Sequence, residues 1–444
     1  MGAIDRGTSG DLLYDMQVDM HKEEFPGWAA ELSLYKAVQA GGFSADGKTL
    51  KMDFAEWLPK QRRLAVDLTL QMKGGFAGYL GTSTSKNLQY GAQDVQGKVV
   101  LYDFAGVAHC IQYDSILEKL NSGAGQEKSY ARSLLVQQME TFKNNANLLM
   151  VGGYAAQLVT GATYAGAAQT IAIAPGNSVQ NLYIGQLIQD TTAVSTSLVS
   201  GLPVANYHGL ISAIAEDGQG GYTITYTHYD GATGCQFTSS ATTVHLHGQY
   251  NVSPYGLLDF VTKGNTVGDL ARTGIYNPTV YAAADLTGFQ DDPAYGIVQA
   301  AEAIRRNTSN GVKINCVLMS KVTFMWYQKK YATRLQFDQA QKGMLAGKSQ
   351  AFGFNPIWAV DPDIAIYVCD SIPDGEMYLI STGNLGFTPL PGNTMPAYID
   401  MLSGDMSSIR IHSTLNKETA LVWFYQMYAR HLGGFGRIHS INFS

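Results

Sequence analysis

Two histidines one residue apart, His245 and His247 in VHLHGQY, come nearest in this chain to half of a metal site. Alternate residues of a strand share a face, so both rings would lie on one side. A zinc site takes three or four protein ligands, and no Cys, Asp or Glu stands close by in sequence. The pair therefore reads as ordinary strand-surface histidines. Paired acids are the next candidates, because two carboxylates in unlike environments can divide acid and base roles between them. Asp291 and Asp292, however, precede Pro293 at the start of a helical pattern, where a carboxylate caps the helix. Asp361 and Asp363 sit in a DPD turn between strand-like runs. The glycine-rich pieces MKGGFAG (72–78) and RHLGGFGR (430–437) lack the following Lys-Ser/Thr of a phosphate cradle. There is no GxSxG, HExxH or Walker A pattern. Cys110, Cys235, Cys316 and Cys369 are far apart and form no CxxC, which suits buried thiols in a reducing compartment. No catalytic, cofactor-binding or metal set assembles, so the reading is of a chain that is not an enzyme and takes no cofactor.

The composition points elsewhere. The chain has 444 residues, 45% of them apolar, but only 15% charged, with 30 Lys+Arg against 36 Asp+Glu. An average soluble domain carries about 25% charged residues, so roughly forty charges are missing. Part of the deficit is local: residues 144–262 form a run of 119 residues without Lys or Arg. A normal apolar fraction and small net charge exclude disorder. A net charge of −6 excludes nucleic-acid binding through bulk positive charge. No run of 18 apolar residues is present, so no membrane partner is expected. The start, MGAIDRGTSGDLLYD, has no basic and apolar regions of a secretory signal. At this length the chain should divide into two or more substructures.

The elements that would position these residues follow in order. Residues 1–60 read as an extended or loosely helical arm, with MDFAEWLPKQRR (52–63) giving one short helix at most. LTLQMKGGFAGYL and GTSTSKNLQYGAQDVQGKVVLYDF (68–104) read as a long hairpin with a polar tip. In EKSYARSLLVQQMETFKNNANLLM (127–150) apolar residues recur every three or four positions, and Gly152-Gly153 stop the helix. Residues 161–250 are Thr/Ser/Val-rich strands with glycine turns, expected to form a small antiparallel barrel or sandwich inserted into a host domain. The host resumes with a helix capped by Asp292 and closing at Gly311, a buried strand in VKINCVLMS and a helix capped by Ser320. More strands follow over 354–382, and a long strand and a final one end the chain. The Met- and aromatic-rich pieces MWYQKKY and VWFYQMY read as core or interface packing.

This order resembles that of the major capsid proteins of tailed bacteriophages. QYDSILEKLNSGAGQEKSYARSLLVQQMETFKNNANLLMVGG is similar to that family's strand, Ser/Asp-rich helix start, Leu-Leu step and long spine helix. PYGLLDFVTKGN is similar to its lead into the axial domain, and AAEAIRRN through MWYQKKYATRLQF to its helix–strand–helix. In FGFNPIWAVDPDIAIYVCDSIPDGEMYLISTGNLGF, Asn355-Pro356-Ile357 replaces the family's Gly-x-Pro-Val form. The resemblance implies an α+β, HK97-like capsid fold with an inserted small all-β domain. Its implied parts are an N-terminal arm (1–65), an extended β-hairpin loop (66–113), a peripheral domain with the spine helix (114–160), the insertion (161–250), an axial α/β domain (251–385) and return strands (386–444).

The function implied is that of a self-assembling structural subunit, in hexamers and pentamers, of an icosahedral double-stranded DNA phage head, found in the virion and assembled in the bacterial cytoplasm. Its partners would be copies of itself, packaged DNA met without sequence reading, a portal and a decoration or cement protein. Fewer than 70 residues precede the hairpin, so a separate scaffold protein is expected. Inter-subunit contact falls to Phe76, Tyr79, Leu80, Lys86, Leu88 and Tyr90 on the hairpin, Trp28 and Trp57 on the arm, and Arg132 on the helix. Some family members cross-link a loop lysine to a neighbour's asparagine; nothing here fixes the partner of Lys86, which is read as a solvated tip. The competing reading, from 161–250, is a β-rich adhesion or glycan-binding tail-associated protein.

Overall fold

The structure is a computed structural model that describes residues 55–60, 62–68, 71–73, 94–96, 99–103, 105–114, 126–165, 169–175, 177–189, 208–218, 221–228, 243–308, 312–335, 364–390, 396–398, 409–410 and 416–443. Trp28, the six hairpin-tip candidates Phe76 to Tyr90, and Asp361/Asp363 lie outside them. The chain divides into two compact units, which it enters alternately. One holds Phe104–Leu257 and Phe387–Met427; the other holds the strands before Phe104, then Leu258–Gly386 and Tyr428–Ser444.

Where one short helix at most was expected over 52–63, the described residues of that segment supply strand. β1 (Ala55–Leu58) turns at Pro59 and pairs antiparallel with β2 (Arg63–Asp67). Pro59 cannot sit in a helix interior, and the alternating Leu64 and Val66 are fully buried, the period of a one-sided strand. The chain continues through β3 (Gln71–Lys73), β4 (Asp94–Gln96) and β5 (Val99–Asp103). β2 pairs with β5 from Arg63↔Asp103 to Asp67↔Val99, and β3 with β4 from Gln71↔Gln96, so two legs run alongside each other toward the segment 74–93.

In the other unit, β6 (Gly106–Asp114) leads to α1 (Gln126–Gly152), a helix of 27 residues and so about 40 Å long. Its buried stripe is Leu135, Gln138, Met139, Phe142, Ala146, Leu149 and Met150, the three-and-four spacing of one helix face. Next come β7 (Gln157–Thr160), β8 (Ala162–Ala165), β9 (Thr170–Ile173), β10 (Leu187–Gln189), β11 (His208–Glu216), β12 (Tyr222–His228) and β13 (Thr243–Leu246). They form one sheet in the order β7-β13-β10-β11-β12-β9-β8, antiparallel at every step. Its edge strands β7 and β8 are successive segments separated only by Gly161, and six antiparallel steps return the chain to its starting direction. The sheet therefore curls onto itself as a barrel, one kinked strand serving both edges, around buried Tyr164, Ile171, Ile188, Ile211, Ile224, Tyr226 and Val244.

A short α2 (Leu257–Val261) and the small ribbon of β14 (Thr266–Val267) and β15 (Leu270–Ala271) follow. Then come β16 (Thr279–Ala282), α3 (Pro293–Asn307), β17 (Cys316–Met319), α4 (Lys321–Leu335), β18 (Ala365–Val368) and β19 (Met377–Ile380). β17 is buried at all four positions, as befits a strand covered on both faces. β20 (Leu385–Pro389), β21 (Ala397–Tyr398), β22 (Ile409–Arg410), β23 (Asn416–Ala429) and β24 (Gly436–His439) complete the chain. β16-β24-β19-β17-β18 form a mixed sheet whose core includes Ile297, Ala300 and Ile304 of α3 and Phe324, Trp326 and Tyr327 of α4. Asp292 caps α3, its carboxylate accepting from Tyr295 N at 3.3 Å, with Pro293 in the first turn. The helix ends at Asn307, short of Gly311, because Thr308 caps it by donating its hydroxyl to the Ile304 carbonyl at 2.9 Å. Ser320 caps α4, accepting from Thr323 N at 3.2 Å. β23 returns along β6 for nine pairs, from Asn416↔Asp114 to Phe424↔Gly106.

Candidate functional site: buried polar groups and exposed faces

The residues that could have held a metal are used structurally. His245 is 2% exposed, so it belongs to the core and not to a strand surface. Its Nδ1 lies 2.7 Å from the Ala155 carbonyl and its Nε2 2.7 Å from Thr243 Oγ1. β13 ends at Leu246, which puts His247 in the following turn; the two histidines do not share a strand face. Among the described residues no three His, Cys, Asp or Glu side chains could hold a metal together, and no helix is long and apolar enough to cross a membrane. Cys316 and Cys369 are buried thiols outside any disulfide, and burial pushes the Cys316 thiol far up, which keeps it protonated and unreactive.

Two cations that the sequence did not single out, one buried and one partly buried, organise the second unit. Arg272 is 2% exposed. Its Nε donates to the Tyr276 carbonyl at 2.9 Å, and Nη1 to the Asp259 and Thr262 carbonyls at 2.7 and 3.1 Å and to Asn265 Oδ1 at 3.2 Å. Nη2 donates to the Phe260 and Leu432 carbonyls at 2.9 and 2.7 Å. The guanidinium thus gathers carbonyls at the C-terminal end of α2, where the helix dipole favours a cation. Burial lowers its pKa to about 10, which leaves it charged at neutral pH. The sequence signal was a lone cation beside the apolar pair Leu270-Ala271. The second charge is Arg437, which grips both carboxylate oxygens of Glu376, while Tyr378 donates to Glu376 at 2.7 Å. With side chains 20% and 14% exposed, this ion pair fastens β24 to β19.

A neck marks where the barrel joins α1. Gly153 closes the helix and Gly256 follows the barrel, and the two backbones touch: a Cβ on Gly256 would lie 2.6 Å from Gly153 Cα. Tyr154 and Tyr255 stack beside the crossing, ring centroids 4.9 Å apart and 9° from parallel.

Of the sequence-stated contact candidates, Trp57 lies on β1 opposite Leu64 and is half-buried, and Arg132 lies on the early turns of α1. Among the described residues the exposed large apolar side chains are Val99, Tyr183, Ile184, Val252, Tyr295, Val322, Met325 and Phe443. Met325 opens the stretch MWYQKKY expected to be core or interface, and α4 divides that stretch, burying Trp326 and Tyr327 and exposing Met325.

No protein-family model and no curated protein matches the chain. Solved structures similar to it include phage capsids and an encapsulin. The capsid of Myoviridae phage XM1 is 10% identical over 89% of this chain and 96% of that one, with a TM-score of 0.38. The capsid of cyanophage A-1(L) is 10% identical over 90% and 97%, also at 0.38. An encapsulin of Synechococcus elongatus is 9% identical over 79% of each chain, at 0.34.

Proposed function

We propose that the chain is a major capsid protein, the self-assembling structural subunit of a tailed-phage head, with no catalytic role. The observation that carries this reading is the nine-pair return of the fourteen-residue β23 along β6, the strand that leads into the 27-residue α1. A strand, a long helix and a late returning strand, preceded by a two-legged hairpin, follow the element order that the capsid resemblance implies. The parts of the chain are then the N-terminal arm, the hairpin loop 66–113, the peripheral domain with α1, the barrel as the insertion, the axial domain 251–385 and the return strands. The charge deficit fits a subunit whose flanks meet identical neighbours instead of water. Hexamers, pentamers, enclosed double-stranded DNA and separate scaffold, portal and decoration proteins are the partners of such a subunit.

The test is self-association. Purified protein concentrated on a sizing column and viewed by negative stain should give capsomers, tubes or shells. A 48 kDa monomer that persists at high concentration would overturn the proposal, and a monomer or trimer that binds sugar would favour the adhesion reading instead.

A further inference from the structure

Two exposed faces of this chain carry apolar residues with opposite charge, and we infer that the cationic face of one copy docks on the anionic face of the next. The inference rests on the shell reading and adds the contact that would hold neighbours together. The cationic face is α4. Lys321, Met325 and Lys329 recur every four residues with Val322 beside them, all exposed, Val322 at 47% and Met325 at 60%. The whole helix, KVTFMWYQKKYATRL, has four cations and no acid. Lys330 leans on the Trp326 ring, 5.8 Å from its centroid, which leaves Lys321 and Lys329 as the charges flanking the apolar pair.

The anionic face is on the barrel. Ile184 stands 67% exposed at the tip of a turn closed by Gln186 N donating to the Tyr183 carbonyl at 3.1 Å. The turn is fixed to β11: Gly185 N donates to the Ile211 carbonyl at 2.8 Å, and Ile211 N to the Gln186 carbonyl at 3.0 Å. From there β11 runs on with Ala213 and Ala215 exposed on one face and Asp217 after them, while Glu216, exposed at the strand end, pairs with Tyr222 on the opposite side. Small side chains leave a low apolar floor, Ile184 rises at one end, and the other end carries Asp217, with Glu216 beside it on the other side of the strand. This face belongs to the cation-free run 144–262, whose five acids (Asp190, Glu216, Asp217, Asp230 and Asp259) account for most of the net charge of −6. No nearby lysine or arginine of that run can neutralise it.

Like faces repel, so neither surface pairs with its own copy. A contact between unlike faces that repeats head to tail gives rings or open lattices, the kind of contact a shell needs. Apolar centres with flanking charges of opposite sign give such a contact both burial and register.

Charge swapping tests it. Lys321→Glu with Lys329→Glu, and separately Ala215→Lys with Glu216→Lys, should each raise the concentration needed for assembly about tenfold or more. Asp217 is left alone because its carboxylate accepts from Gly221 N at 2.9 Å and holds the β11–β12 turn. Mixing the two swapped proteins, or combining all four changes in one chain, should restore assembly. Wild-type assembly should also slow as salt is raised. Unchanged melting curves for the variants separate loss of docking from loss of fold. If wild type forms shells and both variants do so at the same concentration, or if the swap fails to restore assembly, the docking is overturned while the shell reading stands. If wild type stays monomeric, both fall.

Discussion

Arg272 sets the first expectation at the scale of single residues. Six acceptors converge on one guanidinium 2% exposed, and removing it would leave them buried without donors. Arg272→Met should therefore cost on the order of 3–5 kcal/mol, read as a lowered midpoint in urea, and Arg272→Lys should not recover it because an ammonium has too few donors in the wrong geometry. A stability within about 0.5 kcal/mol of wild type would show that the carbonyls find other partners. His109 sets the second. It lies on β6 opposite Leu421 of β23, and its carbonyl accepts from Gln138 Nε2 of α1 at 2.8 Å. Burial holds its pKa below the ordinary value near 6.5, so the unfolded chain takes up a proton more readily than the folded one. The stability this gives is full above about pH 6.5 and is lost as the pH falls through the folded value. Urea midpoints measured from pH 7.5 to 5 should fall, and His109→Gln should flatten that slope; an equal slope in the variant would refute the assignment.

At the scale of elements the barrel depends on its kink. Gly161 has φ +70, and a Cβ there would stand 2.5 Å from Asn177 Nδ2. Gly161→Ala should destabilise the barrel by about 1–3 kcal/mol, seen as faster amide exchange in β7 and β8. The same element shows what could be read beforehand. Thr/Ser/Val runs with glycine turns announce antiparallel strands, but the order that closes them depends on which edges meet, and that is a long-range fact. The three-and-four apolar rhythm of α1 and the caps Asp292 and Ser320 were legible because each is local. The strands at 55–67 were not, since a short AEWL before a proline has no period long enough to distinguish helix from strand. His245 was misplaced for a similar reason: burial follows from Ala155, ninety residues away, and no neighbour in sequence announces it. Arg272 escaped notice because its partners are carbonyls, which every residue has.

At the scale of the whole molecule, the shell reading makes the hairpin the part that a neighbour would complete. Replacing residues 76–91 with a short turn keeps β1 to β5 and should leave melting unchanged while assembly is lost; normal shells from that variant would remove the hairpin from the contact. The neck has a different consequence. Chain enters the barrel on β7 and leaves on β13, which are paired neighbours from Thr160↔Thr243 to Gln157↔His245, and both connections pass through one crossing at Gly153 and Gly256. Paired strands lie only about 5 Å apart. The barrel is thus a cassette with a single narrow socket: it can be gained, lost or exchanged in a lineage without re-threading α1. A foreign domain whose own ends lie side by side could be grafted at the same place, and the subunit would carry it as a display platform.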